Sequence, residues 1–215
     1  MIKIIKRLFV ATLLSWSMMG VSQAAMDEVT FSDIVDGDGL SSLFDVDATA
    51  VDLSDGNKLI IGLNNFSANG DSILTYSAVD TLTMTIDAPS GYFITSVSYT
   101  EGGDGQTENG VATATGALVA DSTPINFLTQ IFAPNADSGW TITPATILID
   151  NKTSIVVSIT NSLFAFAFAP GEIAQITKTS ATLTIGVEPV PLPAAVWLFG
   201  STLIGFVAFG RRRLS

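Results

Sequence analysis

Apolar residues alternate with hydroxyl-bearing or charged ones, at a period of two, through much of the middle of the chain. Over residues 81–86, Leu82, Met84 and Ile86 alternate with threonines; Ile155, Val157 and Ile159 repeat the pattern, as do Leu183 and Ile185. Successive side chains of an extended backbone point to opposite faces, so these segments predict strands with one buried face. Residues 92–99 and 111–119 predict two more strands. Clusters of Gly, Pro and Asp predict loops at 87–91, 101–110, 133–139 and 169–171, where such residues set tight turns. The middle of the chain has no helical period of the usual length and no internal repeat. Many short strands with such turns predict an all-β single domain, a β-sandwich or jelly roll. In 162–169, SLFAFAFA, alternation puts Phe164, Phe166 and Phe168 on one face. That face is expected to be a core face, the alternative being an exposed aromatic row for a ligand.

The two ends break this pattern. Residues 1–7 are short and basic, 8–21 are largely apolar and uncharged, and Ser22-Gln23-Ala24 follows. Ser22 and Ala24 supply the small side chains that a signal peptidase reads, so 1–24 is expected to be a cleaved secretory signal, with Ala25 as a second cut position. An uncleaved anchor is the alternative, but the apolar run is short for a membrane span. At the other end, 193–210 is uncharged and mostly apolar. As a helix it would extend roughly 27 Å, close to the hydrocarbon thickness of a bilayer. Arg211, Arg212 and Arg213 follow at once, which favours a cytoplasmic tail and leaves the preceding chain outside. Signal and tail therefore predict the same orientation. The expected division is 1–24 signal, 25–187 exported domain and 188–215 C-terminal segment. The last comprises a proline stalk at 188–193, a membrane helix at 193–210 and a basic tail at 211–215.

Charge sharpens this division. All 20 acidic residues lie between Asp27 and Glu188, where Lys58, Lys152 and Lys178 are the only basic ones. So acidic a domain repels phosphate backbones and anionic lipid headgroups, which argues against nucleic-acid binding. The chain has no His and no Cys. A Ser–His–Asp triad, a Cys nucleophile and His- or Cys-ligated metal sites are thereby excluded. The sequence also lacks a phosphate-binding loop and a dinucleotide fingerprint. What remains for catalysis is a carboxylate pair of the kind glycosidases use. No such pair stands out among the acidic residues, so the expectation is a protein that is not an enzyme, with a carbohydrate-active hydrolase as the alternative. Without Cys there are no disulfides, and a domain of this length can bury a core without them. The densest acidic stretch includes Asp36-Gly37-Asp38-Gly39 and Asp52-Leu53-Ser54-Asp55-Gly56-Asn57. Closely spaced oxygens beside glycine suit calcium, making Asp36, Asp38, Asp52 and Asp55 the candidate ligands. The spacing is not that of the twelve-residue calcium loop, and solvated turns use the same residues.

Val190-Pro191-Leu192-Pro193-Ala194, then Trp197-Leu198-Phe199-Gly200-Ser201, then the apolar run and three arginines closely resemble the C-terminal sorting signal of PEP-CTERM proteins in its VPLPA variant. The resemblance covers about the last 26 residues. It implies recognition by an exosortase, which cuts near the proline motif and delivers the upstream domain to the cell surface or the medium. Val190, Pro191, Leu192, Pro193 and Ala194 would be the processing motif, and the helix with Arg211, Arg212 and Arg213 the holding tail. The commoner motif of that family is Pro-Glu-Pro; here Glu188-Pro189 lies just upstream, and the scissile bond is left open. Alternating prolines favour an extended, accessible backbone, which fits a cleavage site. Gly91 to Tyr99, Asn161-Ser162-Leu163 and Lys178 to Gly186 resemble, more loosely, exported β-rich domains with this tail, which implies a sandwich of unassigned activity. The functional expectation is an inner-membrane precursor handled by signal peptidase and exosortase. Its mature domain would be a structural component associated with exopolysaccharide or biofilm, with a calcium-binding adhesin as a variant.

Overall fold

The computed structural model describes residues 28–37, 43–70, 75–126, 130–142, 144–191 and 202. The signal segment, Asp38 and nearly all of the tail from Leu192 onward, including Pro193, Ala194 and Arg211, Arg212 and Arg213, lie outside the described residues. No helix among the described residues is long and apolar enough to cross a membrane.

Period-two segments become strands, and two antiparallel sheets pack face to face as a β-sandwich. One sheet has the order β1 (Thr30–Asp36), β5 (Thr75–Asp87), β12 (Ser154–Ala167), β7 (Gly110–Ala120), β8 (Thr123–Asn126), with β9 (Gln130–Phe132) also pairing β7. The other runs β10 (Ala136–Thr141), β6 (Tyr92–Thr107), β13 (Ala174–Pro189), β3 (Asp55–Leu63), β2 (Phe44–Asp52). Here β11 (Ala145–Lys152) also pairs β6, and β4 (Ser67–Gly70) also pairs β13. The chain passes repeatedly from one sheet to the other, and the β5–β6 and β12–β13 turns are two of these crossings. Gly91 and Gly171 sit in these turns at φ 83° and 84°, a region open to glycine at little cost.

The alternating apolar residues meet between the sheets. Leu82, Met84 and Ile86 of β5, with Ile155, Val157 and Ile159 of β12, form one buried cluster with Val97 and Tyr99 of β6 and Leu183 and Ile185 of β13. Each such side chain contributes about 1.5–3 kcal/mol on burial.

Three expectations need correction. The glycine-rich segment 101–110 is not a loop: β6 continues through Thr107. Its glycines admit close neighbours, for a Cβ on Gly103 would stand 1.8 Å from the Thr177 carbonyl oxygen and one on Gly105 2.6 Å from the Phe132 ring. Within 133–139 only a short turn remains before β10, with Asn135 at φ 63°. In 162–169 the strand is present but its expected facing is reversed. Leu163, Ala165 and Ala167 are buried, whereas Phe164 and Phe166 are half-buried on the outer face and Phe168, past the strand end, is exposed. The sheets approach too closely there for aromatic rings. A Cβ on Gly70 would lie 3.0 Å from the Ala165 carbonyl oxygen, and one on Gly110 2.9 Å from the Ala174 Cβ.

Candidate functional site

Four polar residues occupy inward positions of the strand alternation and meet in the middle of the sandwich. Asn161 continues the inward series of β12 after Ile155, Val157 and Ile159. Glu101 follows Val97 and Tyr99 on β6, and Lys178 follows Ala174 and Ile176 on β13. Asp80 precedes Leu82 on β5 and is the cross-strand partner of Asn161. Asp80, Glu101, Asn161 and Lys178 are exposed by 1%, 3%, 1% and 2% respectively, so water has no access to them. A β-bulge between Lys178 and Ser180, opposite Gly103 and Gly102, shifts the alternation by one residue. It lets Lys178 and Ala181 both point inward.

Every hydrogen of the Lys178 ammonium has a directed acceptor. Nζ lies 2.7 Å from Glu101 Oε2, 2.6 Å from the Tyr99 hydroxyl and 2.5 Å from Asn161 Oδ1. Asn161 Nδ2 donates to the same Glu101 oxygen at 2.6 Å. The Tyr99 hydroxyl is directed between Glu101 Oε2, at 2.8 Å, and Asn161 Oδ1, at 3.1 Å. Aromatic rings close the remaining sides: Nζ is 5.0, 5.2 and 5.3 Å from the ring centroids of Phe44, Phe66 and Tyr99. Asp80 anchors one of these rings, accepting the Leu43 and Phe44 amides on Oδ2 at 2.9 and 3.2 Å.

Burial lowers the Lys178 pKa to about 8, against the opposing pull of Glu101 and, more weakly, Asp80. Burial and the Glu101 charge push the Tyr99 phenol well above its usual value, which keeps it a proton donor. The cluster thus holds an amine, a carboxamide, a carboxylate and a phenol in mutual contact inside a dry core.

The outer face of the β5–β12–β7 sheet offers a different chemistry. Phe164 lies between its partners Ser77 and Thr113, and Ser162 between Val79 and Thr115. Thr160 and Thr81 share a hydrogen bond of 2.9 Å, and the Phe166 and Phe168 rings meet edge to face at 5.6 Å. Aromatic rings amid a field of hydroxyls can stack on the C–H faces of a sugar and bond its hydroxyls. On the other sheet a shallow depression over the bulge is lined by Gly102, Gly103, Trp140, Thr141, Thr179 and Ser180.

No family model matches the chain, and no curated protein matches it significantly. Among solved structures it is similar to TmCBM61 in complex with β-1,4-galactotriose, at a TM-score of 0.31 and 14% identity over 74% of this chain and 92% of that one. It is similar also to the enzymatically active domain of tailspike protein 4 of bacteriophage CBA120, at 0.20 and 12% over 71% of this chain and 19% of that one. Likenesses at such TM-scores carry no statement about activity or ligand.

The carboxylates expected to gather around calcium divide between the two sheets. Asp36 ends β1 opposite Leu82, whereas Asp52 and Asp55 are cross-strand partners at the β2–β3 turn. Asp52 accepts the Ser54 amide and hydroxyl at 2.9 and 2.7 Å and pairs with Lys58 at 3.3 Å. The Ser54 bonds hold its pKa below the ordinary value. Asp55 accepts the Asn57 amide at 3.1 Å. Both side chains are therefore engaged as acceptors of their own turn. Among the described residues, no three acidic groups gather closely enough to hold a metal. Of the processing motif, Val190 and Pro191 are described. β13 carries Glu188 and Pro189 into the sheet opposite Phe93 and Tyr92, and the Val190 amide donates to the Gly91 carbonyl at 2.8 Å. Val190 and Pro191 themselves are exposed, immediately where the sandwich ends.

Proposed function

We propose that this chain is an exported β-sandwich, sorted by its C-terminal segment to the cell surface or the medium, where it acts as a non-enzymatic component in contact with polysaccharide. The delivery half of this reading rests on the signal-like N-terminus and the stalk, apolar run and arginines of the tail. It is supported by the ending of β13 at Pro189 and by the exposure of Val190 and Pro191, the two motif residues that are described. The binding half is carried by one observation: the register of β12 turns Phe164 and Phe166 outward among serine and threonine hydroxyls.

Affinity electrophoresis of the protein through a gel containing its host's exopolysaccharide tests the binding half. The wild type should be retarded. The Phe164→Ala/Phe166→Ala double variant should lose most of that retardation, while its far-ultraviolet circular dichroism stays that of the wild type. An unretarded wild type, or a double variant retarded as fully as wild type, would remove the aromatic face from the account. Shortening of the polysaccharide on incubation would favour the hydrolase.

A further inference from the structure

We propose that Lys178 and Asn161 join through a spontaneous intramolecular isopeptide bond, with Glu101 as the proton carrier, tying the two sheets of the sandwich together. The reaction needs an amine held against a carboxamide, a group that moves protons between the two nitrogens, and exclusion of competing water. All three are present. Lys178 Nζ stands 2.5 Å from Asn161 Oδ1, against the amide group whose Cγ it attacks. Glu101 Oε2 touches both nitrogens, Nζ at 2.7 Å and Nδ2 at 2.6 Å. The Tyr99 hydroxyl, shared between Glu101 Oε2 at 2.8 Å and Oδ1 at 3.1 Å, turns to Oδ1 once Glu101 takes a proton and stabilises the negative charge that grows there. All of these groups are buried, so the amide faces the amine and not water.

The steps balance without an oxidant or any other reactant. The Lys178 ammonium gives one proton to the Glu101 carboxylate, and the freed amine forms the Nζ–Cγ bond as the carbonyl π pair moves to Oδ1. A second proton leaves Nζ, and Glu101 delivers one proton to Nδ2. Return of the electron pair to the carbonyl breaks Cγ–Nδ2 and expels ammonia, which takes the other proton from Glu101 and departs as ammonium. Lys178 keeps one N–H as an ordinary secondary amide, and Glu101 ends as it began.

The ionisation of Lys178 favours this course, because burial brings its pKa down to about 8 and makes the neutral amine accessible. The titratable and polar groups facing it are Glu101 and Tyr99 from β6, Asn161 from β12 and, more distantly, Asp80 from β5. Joining should therefore run faster well above pH 8 than well below it. β13 is the strand that leads into the tail. A bond at Lys178 stops this strand from peeling away from the core under tension at its C-terminal end. The bond forms wherever the domain folds, so its test is independent of the tail and of any polysaccharide.

The test is peptide mapping of the full chain by mass spectrometry after denaturation. A protease that cuts behind acidic residues cleaves at Asp150 and Glu172 but not at Glu188, which precedes Pro189, placing Asn161 in peptide 151–172 and Lys178 in the peptide that begins at Ile173. The wild type should yield the two as one joined species, lighter than their sum by one ammonia. Lys178→Arg and Glu101→Ala should yield them apart. Asn161→Asp should still yield them joined, with water as the leaving group. Two separate peptides of unmodified mass from the folded wild type would overturn the proposal, and that result decides the matter even if a variant fails to fold. Joining as fast and complete in Glu101→Ala as in the wild type would overturn the role given to Glu101.

Discussion

Glu101→Ala should lower the free energy of unfolding by about 3–5 kcal/mol, the loss typical when one member of a buried ion pair is removed. The variant keeps the Lys178 ammonium, 2% exposed, among aromatic rings, a phenol and an amide. None of these carries a compensating negative charge, and Asp80 acts on Lys178 only more weakly. The figure refers to an ion-paired wild type, and against a wild type joined to Asn161 the loss of the cross-link adds to it. Urea denaturation at neutral pH reads the effect directly. The pH dependence identifies the cause. Burial holds Lys178 at about 8 in the folded chain against 10.5 for the free group, and loss of Glu101 removes the main influence opposing that fall. Between the folded and unfolded values the unfolded chain binds the additional proton, so the stability of the variant should rise with pH through that window. Replacing both charges, as in Glu101→Leu/Lys178→Met, should recover much of the loss, because apolar side chains of similar volume need no partner. A Glu101→Ala denaturation midpoint equal to that of the wild type would mean that the cluster does not hold the sheets together.

Gly103→Ala should be the costliest of the glycine substitutions in the β6–β10 region. Its Cβ would meet the Thr177 carbonyl oxygen at 1.8 Å, and that atom is backbone in the longest strand pairing of the fold. β6 and β13 must separate locally, at the bulge that turns Lys178 inward. Forced overpacking costs about 1–3 kcal/mol and occasionally more, and the misplacement of Lys178 adds to it. Gly139→Ala, on the neighbouring β10, provides the contrast. Its nearest atoms would be 3.6 Å away, so the change should stay within about 0.5 kcal/mol, as at ordinary surface positions. Equal denaturation midpoints for the two variants would show that the close approach at Gly103 does not constrain the sheet.

The sandwich was legible wherever apolar residues kept strict alternation, as at Leu82, Met84 and Ile86 or at Ile155, Val157 and Ile159. The same alternation passes through Asp80, Asn161, Glu101 and Lys178, and a polar residue on the inward beat of a strand was the available signal for the buried cluster. It was obscured because glycines at 102, 103 and 105 suggest a turn, although a sheet also uses glycine where another backbone or a ring must approach closely. The bulge at Thr179 then breaks the period that would have linked Lys178 to Ala181 and Leu183. The Phe164 row misled for a related reason. Hydrophobicity favours phenylalanine for a core, but at Ala165 and Ala167 the sheets approach too closely for a ring. Across-sheet distance is not encoded in the period of one strand.

The central claim is that the segment from Val190 onward is an address removed from an exported domain. Mass spectrometry of both ends of the protein, recovered from outside its native host, tests this most directly. The N-terminal peptide should begin at Ala25, and the C-terminal peptide should end near or within Val190 to Ala194, with no trace of the arginine tail. Recovery of a chain that still carries Arg213 would contradict the account and leave a membrane-tethered sandwich in its place.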